Sequence, residues 1–143
     1  MSNPVFSRLA LVGATIWLAG CGMFMPIPAD LDYAPVRLSD QGAFRLSYVS
    51  DAQPVPVSRL HGWTLHVETA DGKPVDGATI VVDGDMPQHG HGMPTRPAVT
   101  QALGNGDYRV EGMKFQMGGW WQIYVDVAAE GRSDKVTFNL RLE

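Results

Sequence analysis

Cysteine is nearly absent: one residue in 143, Cys21. A single thiol excludes a disulfide framework and any zinc site built from clustered cysteines. Charge is sparse at 18%, and the 11 Lys and Arg are outnumbered by 15 Asp and Glu. A formal net charge of −4 excludes the basic face that a phosphate backbone needs, so no nucleic-acid partner is expected. The apolar run Leu9–Ala19 has about 11 residues, short of the roughly 20 of a membrane-spanning helix. No segment sustains a 3.6-residue apolar period. There is no G-x-S-x-G elbow and no thiol nucleophile, and Ser47, Ser50, Ser58 and Ser133 follow no pattern that links them to His and Asp. The acidic residues show no recognisable catalytic pair, so the chain does not read as an enzyme.

Hydrophobic residues make up 45% of the chain, enough for one packed domain. With 16 Gly and 10 Pro, the composition leans toward β-structure. Arg8 precedes Leu9–Ala19, which has the length of a signal-peptide core. The run ends in Leu18-Ala19-Gly20-Cys21, which resembles the lipobox of bacterial lipoproteins. That resemblance implies that residues 1–20 are removed and that Cys21 is acylated, giving a membrane anchor. Gly22 stands where an Asp would resemble an inner-membrane retention signal, which favours the outer membrane. Residues 21–42 carry the lipidated cysteine and a proline-bearing, aperiodic stretch expected to be an extended tether. Met23 and Met25, so close to an anchor, are expected to meet lipid.

From residue 43 to 143 the pattern has period two. Phe44, Leu46 and Tyr48 share one face; so do Trp63, Leu65 and Val67. Trp121, Ile123, Val125 and Val127 alternate, as do Val136, Phe138, Leu140 and Leu142. Asp71-Gly72, Gly104-Asn105-Gly106 and Glu130-Gly131 are turn signals. About seven short strands at this spacing predict an all-β, immunoglobulin-like antiparallel β-sandwich. Trp63 and Trp121 belong to the core by parity.

Once Cys21 carries lipid, a metal site must use His, Met, carboxylate or backbone. The densest run of such residues is Asp83–Thr95, DGDMPQHGHGMPT, read as a loop that adds little to the core. His89, His91 and Met93 share parity, and Gly90 frees the backbone so that both imidazoles can meet. Imidazole nitrogen with thioether sulfur suits copper, particularly Cu(I). Zinc rarely takes Met, and calcium wants oxygen. His89 and His91 are the main candidate ligands, and Met93, Met117 and His61 are candidates to complete the shell. The plainer alternative is that the two imidazoles hold the loop by hydrogen bonds. Met86 and Met113 are expected in the core, His66 in solvent, and Trp120 partly buried at the surface. With the thiol of Cys21 taken by lipid, no Cys-His blue-copper arrangement is available.

H-G-W-T-L-H-V from His61, D-G-K-P-V-D-G-A from Asp71, M-P-Q-H-G-H-G-M-P-T from Met86 and G-D-Y-R-V-E-G-M-K-F-Q-M-G-G-W-W from Gly106 resemble the YtkA-like domain, with its FixH-like relatives. The likeness covers residues 43–143. It implies a small immunoglobulin-like β-sandwich, secreted or lipid-anchored, with an association with copper. FixH itself resembles a membrane-anchored factor of cytochrome oxidase assembly; no apolar run after the lipobox matches that architecture, so the role is not carried over. The H-M…M…H-x-M spacing of the better-known periplasmic copper chaperones is also missing. Two functions follow as expectations. One is a lipid-anchored periplasmic protein that holds or delivers copper, with a copper-handling envelope protein as partner. The other is a non-catalytic envelope module that docks another protein without metal.

Overall fold

The computed structural model describes residues 26–143. Cys21, its lipobox, Met23 and Met25 lie outside the described residues. Among the described residues nine strands form: β1 (Val36–Leu38), β2 (Phe44–Ser50), β3 (His61–Thr69), β4 (Thr79–Met86), β5 (His91–Gly92), β6 (Ala98–Gly104), β7 (Asp107–Met113), β8 (Gly119–Ala129) and β9 (Arg132–Leu142). They make two antiparallel sheets, ordered β1-β2-β3-β7-β6 and β5-β4-β8-β9. The architecture is the expected all-β sandwich. The short edges β1 and β5 and the largely exposed β6 are the strands that the alternation did not mark. Among the described residues no helix is long and apolar enough to cross a membrane.

Period-two alternation puts one face of each sheet inside. Trp63, Trp121, Phe44, Phe115 and Phe138 are fully enclosed, each contributing on the order of 2–3 kcal/mol of hydrophobic burial. Tyr48 joins them at the edge, stacked on Trp63 at 4.3 Å between centroids. The turn signals act as read. Asn105-Gly106 joins β6 to β7 and Glu130-Gly131 joins β8 to β9, each with two successive positive φ angles, as a two-residue primed turn requires. Asp71-Gly72 does not make a strand hairpin. It folds the chain back along β3, with the Val75 amide donating to the Val67 carbonyl at 2.9 Å, before the chain crosses to the other sheet. Tyr108 braces that crossing: its hydroxyl donates to the Val75 carbonyl at 2.7 Å and accepts from the Ala78 amide at 2.9 Å.

Three local expectations need correction. The ordered sheet begins within the stretch read as tether, because β1 pairs with β2 (Val36↔Ser47 to Leu38↔Arg45). Trp120 is 3% exposed, not a surface side chain. Its Nε1 donates to Asn139 Oδ1 at 3.1 Å, and Asn139 in turn donates to the Asp32 carbonyl at 3.0 Å, so the N-terminal segment is tied down beside it. His66 is half-buried instead of free in solvent, its ring nitrogens 2.6 Å from Asp107 Oδ1 and 3.2 Å from Glu68 Oε1.

His66 makes stability pH-dependent. Partial burial opposes the charged ring, but the Asp107 and Glu68 carboxylates outweigh it and raise its pKa above the ordinary value. A raised folded-state pKa contributes stability that is fully present below the unfolded value near 6.5 and is lost as pH rises through the folded value. The unfolding free energy of the parent, measured in urea, is therefore expected to fall between mildly acidic and mildly alkaline pH by about 1 kcal/mol or less, since the ring is partly solvated. A His66→Gln chain lacks that component; equal pH slopes in both chains would refute the assignment.

Candidate metal centre

One end of the sandwich gathers the chemistry. There β3 begins and β7 ends, with His61 opposite Met113 in the register. There also β4 ends and β8 begins, with Asp85 opposite Gln122. The run Asp83–Thr95 is not a loop throughout. Val82, Gly84 and Met86 continue the inward alternation of β4, so Met86 is fully buried. Its parity is hard to read because Gly84 carries no side chain. The amides of His89 and Gly90 both donate to the Met86 carbonyl, at 3.0 and 2.9 Å. This closes a tight tip with Gly90 at φ +64°. Strand β5 then returns against β4 (Met86↔His91).

The tip places His89 and His91 side by side, with ring centroids 5.8 Å apart and planes 25° from parallel. His89 is exposed and His91 half-buried. Stacked in this way, the rings do not aim their lone pairs at one point. A ladder of rings continues inward: His91 meets Trp121 at 5.8 Å, Trp121 meets Phe115 at 5.1 Å, and Phe115 meets His61 at 5.7 Å. Both sheets contribute to this ladder, and it carries His61 to the same end as the tip histidines, two aromatic rings away from them.

Hydrogen bonds reach both half-buried histidines of this end. Gln116 Nε2 donates to the Gly92 carbonyl at 3.1 Å and to His91 Nδ1 at 2.8 Å. His91 Nδ1 also lies 3.3 Å from the Gly92 carbonyl, so its two neighbours ask opposite roles of it, and both tie the ring to the tip. His61 has a single such neighbour. Its Nδ1 lies 3.1 Å from the Arg59 carbonyl, which can only accept, so Nδ1 carries the proton. His61 Nε2 then holds a lone pair, and that atom is buried without a hydrogen-bond partner. A buried polar atom left unpaired costs about 1–3 kcal/mol. A proton held by a backbone carbonyl on one nitrogen, with the other nitrogen free, is how metal-binding imidazoles are oriented.

Sulfur surrounds this end. Met113 and Met86 are fully buried, as expected. Met93 is half-buried and packs on the core. The methyl groups of Met86 and Met93 sit where side chains at Gly119 and Gly84 would be, 2.7 and 3.1 Å from a notional Cβ. Met117 is 38% exposed, and its carbonyl accepts from Trp121 Nε1 at 3.1 Å. The end thus brings His61, His89, His91, Met93 and Met117 into one region, with His61 separated from the tip pair by Phe115 and Trp121. Among the described residues no group of three or more His, Cys, Asp and Glu stands close enough to hold a metal ion. An ion held here must therefore complete its shell with thioether sulfur or amide oxygen. Gln116, whose Oε1 is also buried and unpaired, has no signal in the sequence pattern; its role depends on where β5 returns.

The chain's likeness to known proteins agrees with this architecture. No curated protein matches it. A DUF4426 family protein from Pseudomonas aeruginosa PAO1, known as a crystal structure, shares 15% identity with a TM-score of 0.54, covering 75% of this chain and 94% of that one. At such identity the likeness concerns the fold. The family model described as YtkA-like matches residues 40–126. With more than half of its length matched, the chain belongs to the YtkA-like family.

Proposed function

We propose that this domain takes copper as cargo, as Cu(I), at the His- and Met-bearing end of the sandwich, and holds it or passes it to another envelope protein. The observation that carries the reading is the buried, unpartnered lone pair on His61 Nε2. Met113 stands opposite it in the register, further thioethers lie at the same end, and among the described residues no carboxylate cluster could hold a metal. That set suits a soft ion and disfavours zinc and calcium. His61 supplies the enclosed nitrogen. His89 and His91, nearer the surface, supply the nitrogens that an arriving ion meets first, with Met93 and Met117 as sulfur donors. For His91 to bind through Nδ1, its contacts with Gln116 and the Gly92 carbonyl must be released. The reading includes a signal peptide over residues 1–20 and a lipid anchor at Cys21, facing the periplasm, with the outer membrane favoured. It assigns no catalytic step.

Titration with Cu(I) against a competing chelator tests it. The parent chain is expected to bind Cu(I) at the tip and at His61, which two rings keep apart, and a His89→Ala/His91→Ala chain to lose about 10-fold or more in affinity at the tip. Equal retention in both chains would remove the tip histidines from the site. No retention in either would leave the domain as a protein-docking module.

A further inference from the structure

The charges at the metal end form an independent pattern. Arg37, Arg45, Lys73, Arg109, Arg132 and Lys135 each stand in an ion pair. Among the described lysines and arginines, Arg59, Arg96, Lys114 and Arg141 do not. All four lie at one end. Arg59 precedes β3 by two residues and Lys114 follows β7 directly. Arg96 precedes β6, whose start pairs with the end of β7 (Ala98↔Glu111). Arg141 pairs with Trp120 at the end of β9. The acids nearby are mostly engaged: Asp51 and Glu111 by Arg109, and Asp85 by the Tyr124 hydroxyl at 2.9 Å. Glu143 remains beside Arg141. Amid these cations two apolar side chains protrude, Leu60 at 62% exposure and Met117 at 38%. They sit on neighbouring segments, joined by the Ser58 amide donating to the Phe115 carbonyl at 2.6 Å and the Ser58 hydroxyl donating to the Gln116 carbonyl at 3.1 Å.

The chain also enters from this end. Strand β1 runs antiparallel to β2, and before it Tyr33 lines one cleft with Leu142 and Glu143, at the close of β9. From Asp32 back to Cys21 the chain can reach at most about 40 Å, so a lipid at Cys21 stays within reach of this rim. Unpaired cations, protruding apolar tips and the entry of the chain on one side match a surface that meets anionic headgroups. We propose that this rim rests on an anionic lipid surface, with Arg59, Arg96, Lys114 and Arg141 at headgroup level and Leu60 dipping below it. The orientation half of the inference rests on the lipid-anchor reading of Cys21; the charge pattern does not. It turns the proposed copper site toward acceptors embedded in the same membrane.

Hydrogen exchange of the full chain on vesicles of phosphatidylcholine, with and without phosphatidylglycerol, tests this. On the anionic vesicles the amides of residues 57–60 and 114–117 are expected to exchange roughly threefold slower or more, reverting at about 0.5 M salt. The far turns 71–73, 104–106 and 130–131 should not change. An Arg59→Glu/Lys114→Glu chain should lose the protection; if it melts early, the exposed Arg96→Glu serves instead. Equal exchange on both vesicles, or protection at the far turns, overturns the proposal. So does protection that needs an added acidic envelope protein instead of lipid. The intact mass of the same sample reads acylation of Cys21, so failure of the anchor and failure of the rim contact are distinguishable.

Discussion

A His61→Ala chain is expected to bind Cu(I) about 100-fold more weakly than the parent or worse, while unfolding within about 1 kcal/mol of it. The two halves of this expectation have one cause. In the metal-free chain His61 Nε2 is buried and makes no hydrogen bond, so its removal relieves a desolvation cost of about 1–3 kcal/mol. That gain offsets the lost Nδ1 bond to Arg59 and the lost contact with Phe115. A histidine retained only for packing would show the opposite signature, a clear drop in stability and no change in metal retention. Calorimetry and chelator competition on the same pair of proteins separate the two. A His61→Gln chain adds a check, because its amide fills the space and offers a harder donor; Cu(I) retention should stay low while the melt returns to the parent value.

Trp121→Ala has the largest expected effect on stability, about 3–5 kcal/mol. The ring is fully buried and contacts Phe115 and His91. Its Nε1 holds the Met117 carbonyl at 3.1 Å. Truncation therefore opens a core cavity and also frees the segment that carries Met117 and the ring that seats His91. Loss of copper retention should exceed that of a core truncation remote from this end, such as Phe44→Ala. Denaturant midpoints and Cu(I) competition, measured in parallel, check this. If both truncations weaken copper equally, Trp121 acts through global stability alone.

The fold was legible because alternation along β2, β3, β8 and β9 is long and regular, and because Asn105-Gly106 and Glu130-Gly131 are primed-turn pairs. Strands β1 and β5, of three and two residues, are too short to show a period. Gly84 interrupts the apolar alternation of β4, which made Asp83–Thr95 look like a loop and concealed the hairpin. The burial of Trp120 depends on Asn139 and Asp32, both distant in sequence. At the site, residue types and parity brought out His61, His89, His91 and Met93. Which histidine has a free lone pair was not legible. That depends on a backbone carbonyl at Arg59 and an amide at Gln116, groups that every protein carries and that acquire meaning only through tertiary placement. Parity placed His89 and His91 together, but not their stacked orientation.

X-ray absorption at the copper edge, on the Cu(I)-loaded full chain beside its His61→Ala counterpart, is the most direct test of whether this end of the sandwich is a soft-metal site. The account predicts both nitrogen and sulfur neighbours in the parent, with the nitrogen contribution reduced and the ion readily lost in the variant. A sphere of light atoms alone, or the same sphere in both chains, would contradict it.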